Sequence, residues 1–237
     1  MLGRLCEEGF RLFEKLKNVV LLTGHYGCGK TNLAVNLALY FKHRGEEVKV
    51  VDLDIINPYF RAADFEVRLK KKGIPVIAPR FANSLLDIPA LPSEMTAVFS
   101  SEGRIVVDVG GDDAGAVVLG RYHSDILKAG GADVLYLFSI FRPESRSLTE
   151  LGNHIKSIEE VSRQKVTFLV NSSNLGADTE YSDINKSLDF ARELSEFAKI
   201  PLISTVVLDH LSAEVENSFA VKRFVRLPWE AEEYWID

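Results

Sequence analysis

Cysteine is nearly absent: Cys6 and Cys28 are the only two in 237 residues. That excludes a disulfide framework as the organising principle, and also a four-cysteine zinc site within one chain. No Cys-x-x-Cys or Cys-x-Cys pair exists from which two chains could build a shared site. Long apolar runs are missing as well. No stretch of about 18 apolar residues occurs, so no membrane span is expected. Glu7, Glu8 and Glu14 interrupt the first 17 residues, where a secretory signal needs an unbroken apolar stretch. Positive charge is not in excess. Lys plus Arg is 28 against 34 Asp plus Glu, a formal charge of -6. Such a chain does not coat nucleic acid through bulk charge, although a local basic patch stays open. The five histidines, at 25, 43, 123, 154 and 210, show no metal-ligand spacing. There is no Ser/His/Asp arrangement, no internal repeat and no Gly/Ser linker. A reduced, cytoplasmic protein that binds neither membrane nor nucleic acid is expected.

What is present is ordinary globular composition, 46% apolar and 26% charged, which excludes a disordered or fibrous chain. At ~150 residues per domain the length allows one large domain or one domain with an appendage. With no linker in sight, a single domain over residues 1–237 is preferred. Leu2, Leu5, Cys6, Phe10, Phe13 and Leu16 recur at three- and four-residue steps, which reads as an amphipathic helix within residues 1–17. Short apolar runs suited to strands buried on both faces follow at Val19 to Leu22, Val48 to Leu53, Pro75 to Ala78 and Ile105 to Val109, then at Val134 to Phe138, Val166 to Val170 and Leu202 to Leu208. Helical patterns lie between them. The clearest are Leu33, Leu37, Ala38 and Phe41, stopped at Arg44-Gly45; Leu148, Leu151, Ile155 and Ile158; and Ile184, Leu188, Ala191, Leu194 and Ala198. Strands alternating with helices imply right-handed crossovers. The fold class is α/β: a doubly wound, mainly parallel sheet in a Rossmann-like three-layer sandwich. Four of the eight prolines lie between Pro75 and Pro92, so residues 79–92 read as a structured surface loop and a candidate partner surface. Residues 229–237 mix aromatic and acidic side chains and read as a packed C-terminal extension. Lys70-Lys71-Lys72 read as the solvated end of a helix.

The strongest chemical signal is Gly24-His25-Tyr26-Gly27-Cys28-Gly29-Lys30-Thr31, which fits G-x-x-x-x-G-K-[ST], the phosphate-binding P-loop. Glycines let successive N–H groups turn inward around an anion, and the following helix adds its positive end. Lys30 is expected between the outer phosphates, and Thr31 on Mg²⁺ through its hydroxyl. Gly24, Gly27, Cys28, Gly29, Lys30, Thr31 and Asn32 make up the expected nucleotide-binding stretch, with Cys28 filling a small position. The alternative is a chance glycine-rich turn, which the strand before it and the helix after it disfavour.

The run Gly29 to Ala38, followed by Val50-Val51-Asp52-Leu53-Asp54, resembles the MinD/ParA class of P-loop ATPases. That class also includes nitrogenase iron protein and the arsenite-pump ATPase. The resemblance is tight over residues 18–57 and looser beyond. It implies that Asp52 helps hold hydrated magnesium and that Asp54 orients the attacking water. The residues agree in part, since carboxylates at i and i+2 on a strand share a face; the alternative is that one Asp caps the next segment. The family's usual loop, K-G-G-x-G-K-[ST], carries an extra lysine that reaches a partner's nucleotide across a dimer. Here His25 takes the lysine position and Tyr26 the next glycine, so that trans-acting lysine is missing. His25 is either a substitute donor or a spectator on a solvent-facing loop. A homodimer stays open.

Ile105 to Asp108 reads as a Walker B strand, with Asp108 accepting from magnesium water. Asp108 to Gly111 also fits D-x-x-G, in which the Gly111 N–H can sense a terminal phosphate. Asp112 and Asp113 read as caps of the next helix. Asn171, ending the Val166 to Val170 strand, resembles the purine-binding Asn of this fold class; the alternative is a polar turn leaving the strand. Asn174 stands where guanine-specific proteins place an Asp, and an amide cannot accept both guanine N–H groups as a carboxylate does. ATP is therefore favoured. Leu227-Pro228 are expected near the base by analogy. Asn57 to Arg61 occupy the place of a first nucleotide-sensing switch, or Arg61 simply pairs with Asp64. The resulting expectation is a Mg²⁺-dependent ATP-binding protein and slow, partner-stimulated ATPase, with Lys30 and Asp54 catalytic, ATP and ADP as ligands and an unidentified protein client. A nucleotide-dependent regulatory module with little turnover, or a GTPase or phosphotransferase on the same scaffold, is the alternative.

Overall fold

The computed structural model describes residues 12–54, 62–78, 93–111, 113–145 and 147–225. Most of the expected N-terminal helix, the Asn57 to Arg61 stretch, the Pro79 to Pro92 loop, Asp112, Leu227-Pro228 and the 229–237 extension lie outside them.

Eight parallel strands form one sheet in the order β3-β2-β4-β1-β5-β6-β7-β8. They are β1 (Val19–Gly24), β2 (Val48–Leu53), β3 (Val76–Ile77), β4 (Arg104–Val109), β5 (Ala132–Phe138), β6 (Phe168–Asn171), β7 (Leu202–Leu208) and β8 (Ser218–Val221). The inner strands β1, β4 and β5 are buried along their whole length, which is why they are continuous apolar runs rather than alternating ones. Their side chains still alternate between two cores. Val20, Leu22, Val106 and Leu135 enter the core that holds Leu33, Leu37 and Phe41 of α1 (Lys30–His43). Val19, Leu21, Val107 and Tyr136 enter the opposite one. That second core is closed by Leu151, Ile155 and Ile158 of α6 (Leu148–Ser162) and by Ala191 and Leu194 of α7 (Tyr181–Ala198). Helices on both faces of a parallel sheet give the three-layer, doubly wound arrangement that the alternation of elements demands.

Helix ends follow local chemistry. Beyond α1, the Gly45 N–H reaches the Lys42 carbonyl with Gly45 at φ 85°. Ser147 caps α6, its hydroxyl accepting from the Glu150 N–H. Glu180 and Asp183 form a capping box on α7. Lys70 and Lys71 close α2 (Glu66–Lys71), as their charge suggests.

Three details depart from the sequence reading. The sixth strand starts at Phe168, not Val166, because Glu159 of α6 accepts the Val166 N–H (2.9 Å) and the Thr167 side chain bonds the Val134 carbonyl (3.1 Å). β8 was not expected; it pairs with β7 alone at the sheet edge. The short helices α3 (Ser93–Phe99), α4 (Asp113–Arg121) and α5 (His123–Lys128) lack the length for a periodic signal.

From β1 the chain first builds β2 to one side, then returns to place β4 between them and β5 on the other flank of β1. The C-terminal ends of β1, β2 and β4 thus meet at the point where the direction of winding reverses. That is where α/β sheets open a crevice for ligands.

Candidate functional site

Gly24 ends β1 against β5, where a Cβ would collide with the Leu137 carbonyl. Gly29 stands at the N-cap of α1 in the left-handed region, φ 79° and ψ 20°, where a side chain would be strained. No side chain caps α1 and no acid lies in its first turn. The first-turn N–H groups are therefore left for an anion. Lys30 is 6% exposed, and its ammonium donates to the His25 carbonyl at 3.0 Å, with the Cys28 N–H on the same oxygen at 3.4 Å. Loop and lysine converge on a single oxygen inside the turn. Cys28 is buried, as its small-residue position suggests.

The acidic residues come from two adjacent strands. Asp52 of β2 is register partner to Asp108 of β4, so the two carboxyl groups share a face. The Thr31 hydroxyl donates to Asp108 Oδ2 at 2.6 Å, and the Asp54 N–H donates to Asp52 Oδ1 at 3.0 Å. All three acids are buried. Burial first, then the Asp52 carboxylate, pushes the Asp108 carboxyl up to about 7; the Thr31 hydroxyl and Lys30 ammonium oppose this and Asp54 adds to it. Asp108 Oδ1 is buried without a hydrogen-bond partner. An orphaned carboxylate oxygen beside a hydroxyl and a second carboxyl is a hard oxygen donor set of the kind that suits Mg²⁺. No group of three or more His, Cys, Asp or Glu that could hold a metal ion occurs among the described residues. Mg²⁺ takes one or two carboxylates and completes its shell with water and phosphate.

Gly111 lies against the loop. A Cβ there would sit 2.7 Å from the Tyr26 nitrogen and 2.8 Å from Lys30 Nζ. The D-x-x-G turn and the P-loop are thus in direct contact.

The expected base side is built differently from the sequence reading. Asn171 is fully buried. Its amide donates to Ser187 Oγ (2.8 Å) and Thr205 Oγ1 (3.5 Å), and its oxygen accepts from the Ser173 N–H (3.2 Å) and hydroxyl (2.7 Å). Both donors and both lone pairs are filled, so in this conformation Asn171 shapes the loop instead of facing a base. Asn174 is likewise used locally, on the Ser172 carbonyl and the Gly176 N–H. Asn32 does not point to the phosphate cup. It holds the segment after β8, donating to the Lys222 carbonyl (3.1 Å) and accepting from the Phe224 (2.8 Å) and Val225 (3.2 Å) N–H groups. Asn36, one turn on, bonds both the N–H and the carbonyl of Lys222. Together they tether the strand exit that leads to Leu227-Pro228.

His25 is half-buried. Its ring stacks on His154 of α6 at 3.6 Å and 10°, and His154 Nδ1 shares a 2.7 Å hydrogen bond with the buried Tyr136 hydroxyl. Burial holds the His25 pKa below its ordinary value; Glu144 opposes this, Lys30 reinforces it and Glu150 opposes it. Sequence reasoning also missed Arg142, whose Nε donates to the Gly27 carbonyl at 3.0 Å. His154, Asn36 and Arg142 carry no local motif, and only the fold brings them to the loop.

These features define the fold as that of the P-loop nucleotide-binding proteins. Among solved structures, the chain resembles the signal recognition particle 54 kDa protein of Aeropyrum pernix K1, solved in complex with GDP (16% identity, TM-score 0.51, 79% of this chain and 40% of that one). It also resembles FtsY of Mycoplasma mycoides (19%, TM-score 0.50, 80% and 60%) and FtsY of Thermotoga maritima (18%, TM-score 0.50, 78% and 59%). The chain therefore spans 40 to 60% of the length of these proteins, and the likeness is one of fold. No family model and no curated protein matches the chain. No helix among the described residues is long and apolar enough to cross a membrane.

Proposed function

We propose that the chain is a Mg²⁺-dependent ATP-binding protein and slow ATPase that works as a nucleotide switch of the MinD/ParA kind, with turnover raised by a protein client. The observation that carries this reading is the join between Thr31 and Asp108: the helix-start hydroxyl and the Walker B carboxylate meet at 2.6 Å beside an unpartnered buried oxygen. In this reading the amides of residues 24–31 and the Lys30 ammonium hold the outer phosphates. Thr31, Asp52 and Asp108 hold the magnesium, which, when bound, neutralises developing phosphate charge. Asp54 orients the attacking water. Gly111, already against Lys30, senses the terminal phosphate through its N–H, and its contact with Tyr26 relays the change to the loop. ATP rather than GTP is supported by the absence of a carboxylate at position 174, where Asn174 is committed to its own turn.

A regulator with little turnover is the second reading, and the His25 stack favours it. A ring packed on His154 is held against its own chain. Nucleotide binding and phosphate release of Asp54→Ala separate the two. A water-orienting Asp54 gives retained ATP affinity with turnover at least tenfold lower. Normal hydrolysis by Asp54→Ala removes Asp54 from that role.

A further inference from the structure

The turn after β5 brings a second cation to the phosphate cup. Residues 139–145 leave the C-terminal end of β5 and are fixed by their own backbone. The Arg142 N–H donates to the Ser139 carbonyl (3.0 Å), the Ser145 N–H to the Arg142 carbonyl (3.0 Å) and the Ile140 N–H to Ser173 Oγ (3.1 Å). From this anchored turn the Arg142 Nε donates to the Gly27 carbonyl at 3.0 Å. Its Cζ lies 2.8 Å from the point a Cβ on residue 27 would occupy, so the planar group lies over the glycine apex of the loop. The side chain is exposed, and neither terminal nitrogen is held by an acceptor among the described residues. A guanidinium carries five N–H donors in a rigid fork, and here only one is engaged. Its charge reaches into the loop. Burial raises the Cys28 thiol pKa, and Lys30 and then Arg142 hold that rise back. Two cations thus flank one turn, Lys30 from inside and Arg142 from the rim.

We propose that Arg142 is a phosphate-recognition residue of its own chain, clipping the Gly27 carbonyl with Nε and presenting its remaining N–H groups to the polyphosphate of a bound nucleoside triphosphate. This deepens the nucleotide-binding reading above and rests on it. It makes the residue after the turn's Ser139-Ile140-Phe141 a charge-bearing part of the site and ties the β5 end to nucleotide state.

The test is a calorimetric titration of the full chain with Mg-ATP and Mg-ADP at low and high salt, for wild type, Arg142→Gln and Arg142→Lys, alongside each variant's unfolding midpoint. Glutamine keeps an N–H for the Gly27 carbonyl and removes the charge. The expected result is about a tenfold or larger loss of Mg-ATP affinity in Arg142→Gln, a smaller loss for Mg-ADP and a weaker dependence on salt, with the midpoint nearly unmoved. Lysine, charged but without the fork, lies between the two. If Arg142→Gln binds Mg-ATP as tightly as wild type with the same salt dependence, Arg142 is only a brace and the proposal fails. If Arg142→Gln does not fold, Arg142→Lys decides: wild-type affinity in that variant also overturns it. A wild type that binds no purine nucleotide would overturn the underlying reading, a result distinct from either.

Discussion

Asp108→Asn separates stability from ligand binding at the site. In the unfolded chain Asp108 titrates at its ordinary 3.8; in the folded chain burial and Asp52 raise it to about 7. A raised carboxyl pKa means that the folded state keeps its proton longer than the unfolded one. The stability that Asp108 allows is fully present below pH ~4, falls as pH rises toward 7 and is level above it. The gap corresponds to roughly 2 to 4 kcal/mol at pH 8. Asparagine is neutral throughout, and its oxygen can still accept from the Thr31 hydroxyl. Nucleotide-free, in EDTA, Asp108→Asn should therefore be more stable than wild type by that amount at pH 8 and differ from it by less than about 1 kcal/mol at pH 4.5. Urea unfolding followed by circular dichroism at the two pH values measures both. In Mg-ATP the order should invert if Asp108 holds magnesium as proposed. Equal urea midpoints at pH 8 without ligand would refute the picture of two opposed buried carboxyls.

Other consequences follow from the same geometry. Gly111→Ala places a methyl group under 3 Å from Lys30 Nζ and the Tyr26 nitrogen, so ATP affinity should fall about tenfold while the unfolding midpoint drops only modestly, read by titration and thermal melting. Arg104→Ala removes a nearly buried guanidinium that donates to the Glu14, Leu16 and Lys17 carbonyls and to Glu46, and lies over Phe41; it should destabilise the protein by about 3 to 5 kcal/mol in urea without altering nucleotide preference. His25 has a lowered folded pKa, so the stability it contributes is present above pH ~6.5 and is lost as pH falls through the folded value. His25→Phe keeps a ring on His154 and should flatten the stability profile below pH ~6.5, whereas an unchanged profile would assign that dependence to another group.

The sheet and the phosphate loop are legible in the sequence because their requirements are local. A buried strand needs an apolar run; a turn that passes against Leu137 needs Gly24; a left-handed N-cap at a helix start needs Gly29. Asp52 and Asp108 each end a readable apolar strand, and the register that makes them neighbours comes from the pairing of β2 with β4. What escaped depends on contacts far apart in sequence. Arg142 and Gly27 are separated by 115 positions and Asn36 and Lys222 by 186, and no periodicity records such meetings. Asn171 shows the converse. A residue type at the right strand end suggested base recognition, yet Ser187 and Thr205, on α7 and β7, consume its amide. β8 was missed because four residues at a sheet edge form a strand only through β7.

Everything proposed for this chain requires the turn between β1 and α1 to take a nucleoside polyphosphate with magnesium. Calorimetric titration of the whole chain with ATP, in magnesium and again in EDTA, tests that most directly, with Lys30→Ala as the control. Saturable heat in magnesium that is much reduced in EDTA and absent in Lys30→Ala is the predicted result. No heat from wild type with either ATP or GTP in magnesium would contradict it.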